Sequence, residues 1–176
     1  MDMKALHRTL ILCLALICLA ASPLAARSET TDSPVAYAAE DFTSLEPNAT
    51  GEAVLAIQLR LQSLGYYAGR INSVLDEATG SAISAFQTAN RMDADGAATP
   101  DFQQALFSAG ALDSEGNAAE IWQMPDAPYI GNSNTKKFHR ANCPSVSEMK
   151  DKNKVPLYDR DVAEDEGYQP CKRCNP

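Results

Sequence analysis

Histidine is nearly missing from this 176-residue chain: there are two, and His7 lies close to the first residue. Tryptophan occurs once, and aromatics make up 7% of the residues. A long apolar run is missing too. Residues 10–21, LILCLALICLAA, are uncharged, but crossing a bilayer takes about 18 or more apolar residues. That excludes a multispanning membrane protein. No glycine-rich phosphate loop and no internal repeat is present. The apolar run follows Lys4 and Arg8 and precedes the small residues Ala20, Ala21, Ser22, Ala25 and Ala26. Basic, apolar, then small is the layout of a secretory signal peptide. We expect cleavage near Ala26; Ala36-Tyr37-Ala38 also fits the small-x-small rule but lies far from the run. Cys18 follows the bulky Ile17, so it reads as part of the signal rather than as a lipidation site, with an uncleaved anchor as the alternative. Removing 26 of 176 residues leaves 150, enough for one ordinary domain or two small ones. Export excludes a cytosolic assignment, and the length excludes a large enzyme.

Cysteine is present but unevenly placed. Cys13 and Cys18 leave with the signal, as does His7. Cys143, Cys171, Cys174 and His139 remain, all near the C-terminal end. Three cysteines are an odd number, so disulfides alone leave one thiol over. Three thiolates and one imidazole form a closed tetrahedral zinc shell. They come as two close pairs, H-x3-C and C-x2-C, which is how a chain reaches four vertices around one ion. A thioredoxin-like dithiol lacks its βαβ context here and leaves His139 and Cys143 unexplained. A Cys171–Cys174 disulfide in an oxidising compartment is the other alternative.

Charge divides the chain. The total is 15 basic and 23 acidic residues, net −8. Arg27–Asp126 holds 4 basic and 15 acidic residues, whereas Tyr129–Pro176 holds 9 basic and 7 acidic. An acidic and a mildly basic half imply two separately built modules. Residues 27–46 and 111–127 are polar and aperiodic and read as linkers, with Trp122 and Met124 pinning the second to a neighbour. Between them, Val54, Ile57, Leu61 and Leu64 repeat at spacings of three and four, an amphipathic helix. Thr50 is its candidate N-cap and Gly65 its terminator. A second helix spans about Asp76–Asn90, capped by Asp76, with Thr79, Ala82, Ile83 and Phe86 inward. A third opens on Thr99-Pro100-Asp101, presents Phe102, Ala105, Leu106 and Ala109, and ends at Gly110.

These residues resemble a family. Gly51-Glu52-Ala53-Val54, Gln58, Leu61, Leu64-Gly65-Tyr66-Tyr67, Gly69, Thr79, Ala82 and Phe86-Gln87 look like the peptidoglycan-binding-like domain of bacterial cell-wall proteins, over residues 47–110. The resemblance implies a three-helix bundle and peptidoglycan as partner. The chain departs from the family in its loop, where Asn72-Ser73-Val74-Leu75-Asp76 replaces Asp-Gly-x-Phe-Gly. From the residues themselves, Tyr66 and Tyr67 offer rings to stack on a sugar, and Arg70 and Asn72 offer bonds to a stem peptide. The alternative has one tyrosine packed on the bundle and the other solvated.

Residues 128–176 read as strand (Tyr129–Gly131), turn, strand (Thr135–His139), a helical turn in Pro144–Lys150, a strand at Val155–Tyr158, and a helix at Asp159–Glu166 capped by Asp159 and ended by Gly167. The few large apolar side chains cannot form a sufficient core, so a module of this size needs a staple. Tyr129-Ile130-Gly131-Asn132, Lys137-Phe138-His139, Cys143 and Pro170-Cys171-Lys172-Arg173-Cys174 look like the zinc-binding module at the ends of some secreted nucleases and competence-type proteins. The stretch is similar to the metal domain of the Ada-type DNA-repair methyl acceptor. There the four ligands are cysteines and the first accepts the methyl group. His139 stands in that place here, and an imidazole cannot replace a zinc-bound thiolate in that transfer.

The expected fold class is α+β: signal peptide (1–26), three-helix bundle, then a zinc-stapled α/β module. Once His139 is assigned to zinc no histidine remains, which removes Ser-His and Cys-His catalysis. We expect a non-enzymatic, secreted cell-envelope protein of the wall, periplasm or extracellular space, binding peptidoglycan and carrying one structural zinc. The alternative is an extracellular DNA-binding accessory, or one docking on another envelope protein, that uses a basic face of Lys136, Lys137, Arg140, Lys172 and Arg173. That face is interleaved with acids, which favours a solvated surface.

Overall fold

The computed structural model describes residues 42–176. The expected signal peptide and the linker up to residue 41 lie outside the described residues. Among the described residues no helix is long and apolar enough to cross a membrane. Three helices precede a small sheet, a mixed α+β arrangement.

The first half is built on α1 (Glu52–Ser63), α2 (Glu77–Ala89) and α3 (Pro100–Phe107). The apolar stripe Val54, Ile57, Leu61 and Leu64 is buried in one cluster with Ile83, Phe86, Phe102 and Leu106. Phe86 sets its ring edge against Phe102 at 5.6 Å. Each such side chain contributes about 1.5–3 kcal/mol on burial. Asp76 caps α2 by accepting the Thr79 N–H at 2.8 Å. Thr99 caps α3 through the Phe102 N–H at 3.2 Å, ahead of Pro100. At the end of α1, Gly65 takes φ +79°. The Tyr66 N–H reaches Leu61 O at 2.9 Å and the Gly65 N–H reaches Gln62 O at 3.0 Å, a Schellman closure.

The ends of these elements differ from the sequence reading in two ways. Thr50 is not the N-cap: Gly51 occupies that place with no side-chain cap, because Thr50 is drawn into a bridge with Val74. Helix α3 stops at Phe107 rather than Gly110, and Ala109 is exposed. The Gly110 N–H bonds Ala119 O at 2.8 Å, which pulls the chain out of the helix and into a short hairpin. Residues 111–127, read as a linker, pack along the bundle. Trp122 is buried 5.2 Å from the Phe107 ring, and Arg60 donates to Glu120 O. Trp122 and Met124 pin this segment to the bundle, as expected. On the other flank Phe42 stacks on Phe107 at 5.7 Å, so the bundle's packing extends past residues 47–110 at both ends.

The second half holds β1 (Tyr129–Asn132), β2 (Lys137–Arg140), α4 (Pro144–Ser147), β3 (Lys154–Leu157), α5 (Arg160–Asp165) and β4 (Gln169–Pro170). The sheet order is β3-β1-β2-β4. Strand β1 runs antiparallel to both neighbours, with Ile130 opposite His139 and Pro156. Strand β2 begins at Lys137 instead of Thr135, because the Thr135 N–H turns back onto the Asn132 side chain. Strand β4, unforeseen in the sequence, runs parallel to β2. The core is Phe138, Leu157, Ala163 and Tyr168. Gly131 lets this core close: a Cβ there would lie 2.7 Å from the Tyr168 ring.

Candidate metal centre and groove

Alternation along β2 sends Phe138 into the core and His139 to the other face; both are buried. The chain then turns, with the Cys143 N–H on Arg140 O at 2.9 Å, and starts α4 at Pro144. From the other side, the parallel β2–β4 pairing carries the Cys171 N–H to Phe138 O at 2.9 Å. That register sets the C-terminal pair beside the H-x3-C pair. The ligand atoms of His139, Cys143, Cys171 and Cys174 all lie within 4.8 Å of one another. Zinc–sulfur bonds of ~2.3 Å place sulfurs about 3.8 Å apart, so small adjustments suit the set to one zinc ion.

The side chains fit that ion chemically. All three cysteines are free thiols. His139 Nδ1 is buried with no hydrogen-bond partner, which is costly unless a metal or other partner occupies it. Burial, with the neighbouring Lys137 charge, holds the His139 pKa below its ordinary value, so the ring is neutral and able to ligate near neutral pH. At Cys171 burial disfavours ionisation, but the N–H groups of Cys174 and Arg173 aimed at the sulfur outweigh it and the pKa is lowered. The Arg173 N–H lies 3.4 Å from that sulfur. Burial and the neighbouring thiols push Cys174 up. The four side chains fill a tetrahedral zinc shell, so the ion would hold β2 to the C-terminal turn.

The basic residues beside this centre are only partly free. Lys136 Nζ lies 4.2 Å from the centroid of the Tyr168 ring, and Arg140 donates to Asn175 O at 3.0 Å. Lys137, Lys172 and Arg173 are exposed.

The four residues expected to bind glycan all have partners within the protein. Tyr67 is buried and its hydroxyl donates to Arg70 O at 2.8 Å. The Tyr66 hydroxyl lies 3.0 and 2.7 Å from Leu112 O and Asp113 O. Asn72 Oδ1 accepts from Gln58 Nε2 at 2.8 Å. Arg70 pairs with Asp165 of the zinc module at 2.8 Å. A tight turn after α1 uses these hydroxyl and amide groups as internal partners; of the two rings, Tyr67 is buried and Tyr66 is half-buried.

A groove of about 810 Å³ opens elsewhere on the helical domain. Its walls come from three separate segments, 44–48, 75–84 and 95–99. Gly80 and Gly96 let two of these segments approach closely: a Cβ on Gly96 would lie 3.0 Å from Gly80 O. Glu46 and Glu77 stand exposed at the rim, and among the described residues no lysine, arginine or histidine lines it. The only sequence signal for this groove was small residues (Gly80, Ser81, Ser84) on the outer face of an amphipathic helix.

Comparison with known proteins agrees with this division. Residues 50–106 match the model of the putative peptidoglycan binding domain. Residues 124–176 match the metal binding domain of Ada. A spore cortex-lytic enzyme of Oceanobacillus iheyensis is 36% identical over 85 residues, 48% of this chain and 30% of that protein. This chain therefore spans less than a third of that relative's length. The crystal structure of an L,D-transpeptidase from Xylanimonas cellulosilytica aligns with TM-score 0.35 and 24% identity, over 59% of this chain and 61% of that one. The chain carries a peptidoglycan-binding domain followed by an Ada-like zinc-binding domain.

Proposed function

We propose that this is an exported, non-catalytic cell-envelope protein that binds peptidoglycan in the 44–48/75–84/95–99 groove and uses one zinc ion structurally. The carrying observation is that groove, on the domain that matches the peptidoglycan-binding family. Its exposed rim carboxylates suit an amine-bearing stem peptide over an anionic polymer. Four protein donors close the zinc tetrahedron, which supports a structural ion over a catalytic one. His139 in the set is unsuited to methyl transfer. The peptidoglycan match supports a wall association, and the basic, apolar, small N-terminal pattern supports export.

Co-sedimentation of the zinc-loaded mature protein with washed bacterial sacculi tests this. Ser81 is exposed in the groove, so Ser81→Trp should fill it without disturbing the core. The proposal expects the wild type in the pellet and Ser81→Trp in the supernatant. Wild-type protein left in the supernatant would refute wall binding; equal retention of both would move the site away from the groove.

A further inference from the structure

We propose that Asp159, in the zinc module, is a positioning residue for the groove on the helical domain; this rests on the wall-binding reading above. Its two carboxylate oxygens serve different domains. Oδ1 caps α5 by accepting the Val162 N–H at 3.0 Å. Oδ2 accepts the Ile71 N–H of the helical domain at 3.3 Å. Capping alone is done equally well by asparagine or serine, so the second oxygen is what only a carboxylate supplies here.

The contact leads to the groove in short steps. Ile71 is buried and fixes the start of the loop. Asn72 follows, and its Oδ1 accepts from Gln58 Nε2 at 2.8 Å and from the Val74 N–H at 3.0 Å. Asn72 Nδ2 donates to Asp76 Oδ2 at 3.3 Å. Asp76 caps α2 and, with Leu75, forms a wall of the groove. Thus Asp159 holds the loop that forms this wall from behind.

The surrounding contacts agree. Tyr158 packs against the helical core, and its hydroxyl donates to Pro125 O at 3.1 Å. The Arg70–Asp165 pair sits nearby with side chains 48% and 71% exposed, so it adds little by itself. Helix α5 connects β3 to β4, and Cys171 follows β4 directly. The metal ligands therefore sit on the same small scaffold that presents Asp159.

Asp159→Asn isolates the claim, because the cap oxygen remains while the second oxygen becomes an N–H donor facing another N–H. Asp159→Ser also keeps a cap and removes the second oxygen. Both variants, as zinc-loaded mature protein, are compared with wild type by amide hydrogen exchange, zinc content and sacculus co-sedimentation. We expect unchanged zinc content and Val162 protection, faster exchange at Ile71, Ser73 and Val74, and sacculus affinity lower by about two- to tenfold, the range one lost hydrogen bond supports. Unchanged exchange at those three amides in both variants overturns the proposal. Faster exchange with unchanged affinity also overturns it, since the contact would then not bear on the groove. Should wild-type protein itself fail to sediment, the wall-binding reading falls, while the exchange data still decide whether Asp159 holds the loop.

Discussion

Replacing Gln58 with leucine should destabilise the helical domain by about 3 kcal/mol, as three hydrogen bonds at about 1 kcal/mol each. The side chain is 0% exposed. Its Nε2 lies 2.8 Å from Asn72 Oδ1, 3.0 Å from both Val74 O and Thr79 Oγ1, and 3.5 Å from the Tyr67 hydroxyl. An amide nitrogen has two hydrogens, so two of these bonds are made at a time. Its Oε1 accepts the Ser73 N–H at 2.9 Å, which makes the third. The groups facing Nε2 each keep another partner: Val74 O retains the Asp76 N–H at 2.8 Å, Asn72 Oδ1 the Val74 N–H at 3.0 Å, the Thr79 hydroxyl donates to Asp76 Oδ1 at 2.8 Å, and the Tyr67 hydroxyl donates to Arg70 O at 2.8 Å. The Ser73 N–H loses the partner it has here. Leucine has nearly the volume of glutamine, so no cavity term is added. Urea unfolding of zinc-loaded protein, followed by far-UV circular dichroism, should show a lower midpoint at unchanged slope. A loss below about 1 kcal/mol would refute the reasoning, since the loop would then not depend on the buried amide.

Gly131→Ala should lower the stability of the C-terminal module by about 1–3 kcal/mol, because its Cβ would lie 2.7 Å from the Tyr168 ring and 2.9 Å from Leu157 Cδ1; thermal melts should shift the second module's transition and leave the first in place. Chelation should unfold residues 128–176, where the ion contributes on the order of 10 kcal/mol, while the helical circular dichroism signal of residues 42–127 persists. Asp76 supplies a pH test. Burial raises its pKa, but bonds from the Thr79 amide and hydroxyl and from Asn72 outweigh that, so it is held below the ordinary carboxylate value. A depressed folded pKa gives stability that is present above the unfolded value and is lost as pH falls through the folded one. Wild-type stability should therefore fall below about pH 4, and Asp76→Asn should flatten that part of the curve in acid titrations of the denaturation midpoint.

Local chemistry made much of the fold legible. Asp76 and Thr99-Pro100 announced their helices because capping is decided within four residues. The metal set was legible because ligand spacing is a property of the chain itself. Trp122 and Met124 stood out as pins because they are isolated apolar residues in a polar stretch, but which neighbour they meet, Phe107 for Trp122, is decided by tertiary packing. Strand β4 is two residues long, too short for any period to show. Ligand-facing and turn-closing roles for Tyr66, Tyr67, Arg70 and Asn72 are not separable in the sequence, because a side chain that closes a turn has the same chemistry as one that meets a ligand. The groove and the Asp159–Ile71 contact draw on segments far apart in sequence, and no spacing rule reaches that distance.

Peptidoglycan seated in the acidic groove of the helical domain is what the proposed wall binding requires. Its most direct test is amide chemical-shift mapping of the zinc-loaded mature protein titrated with soluble, amine-bearing muropeptides. The account predicts saturable shifts confined to residues 44–48, 75–84 and 95–99. Shifts absent from those segments, or gathered instead on residues 136–140 and 172–173, would contradict it and move binding to the zinc module.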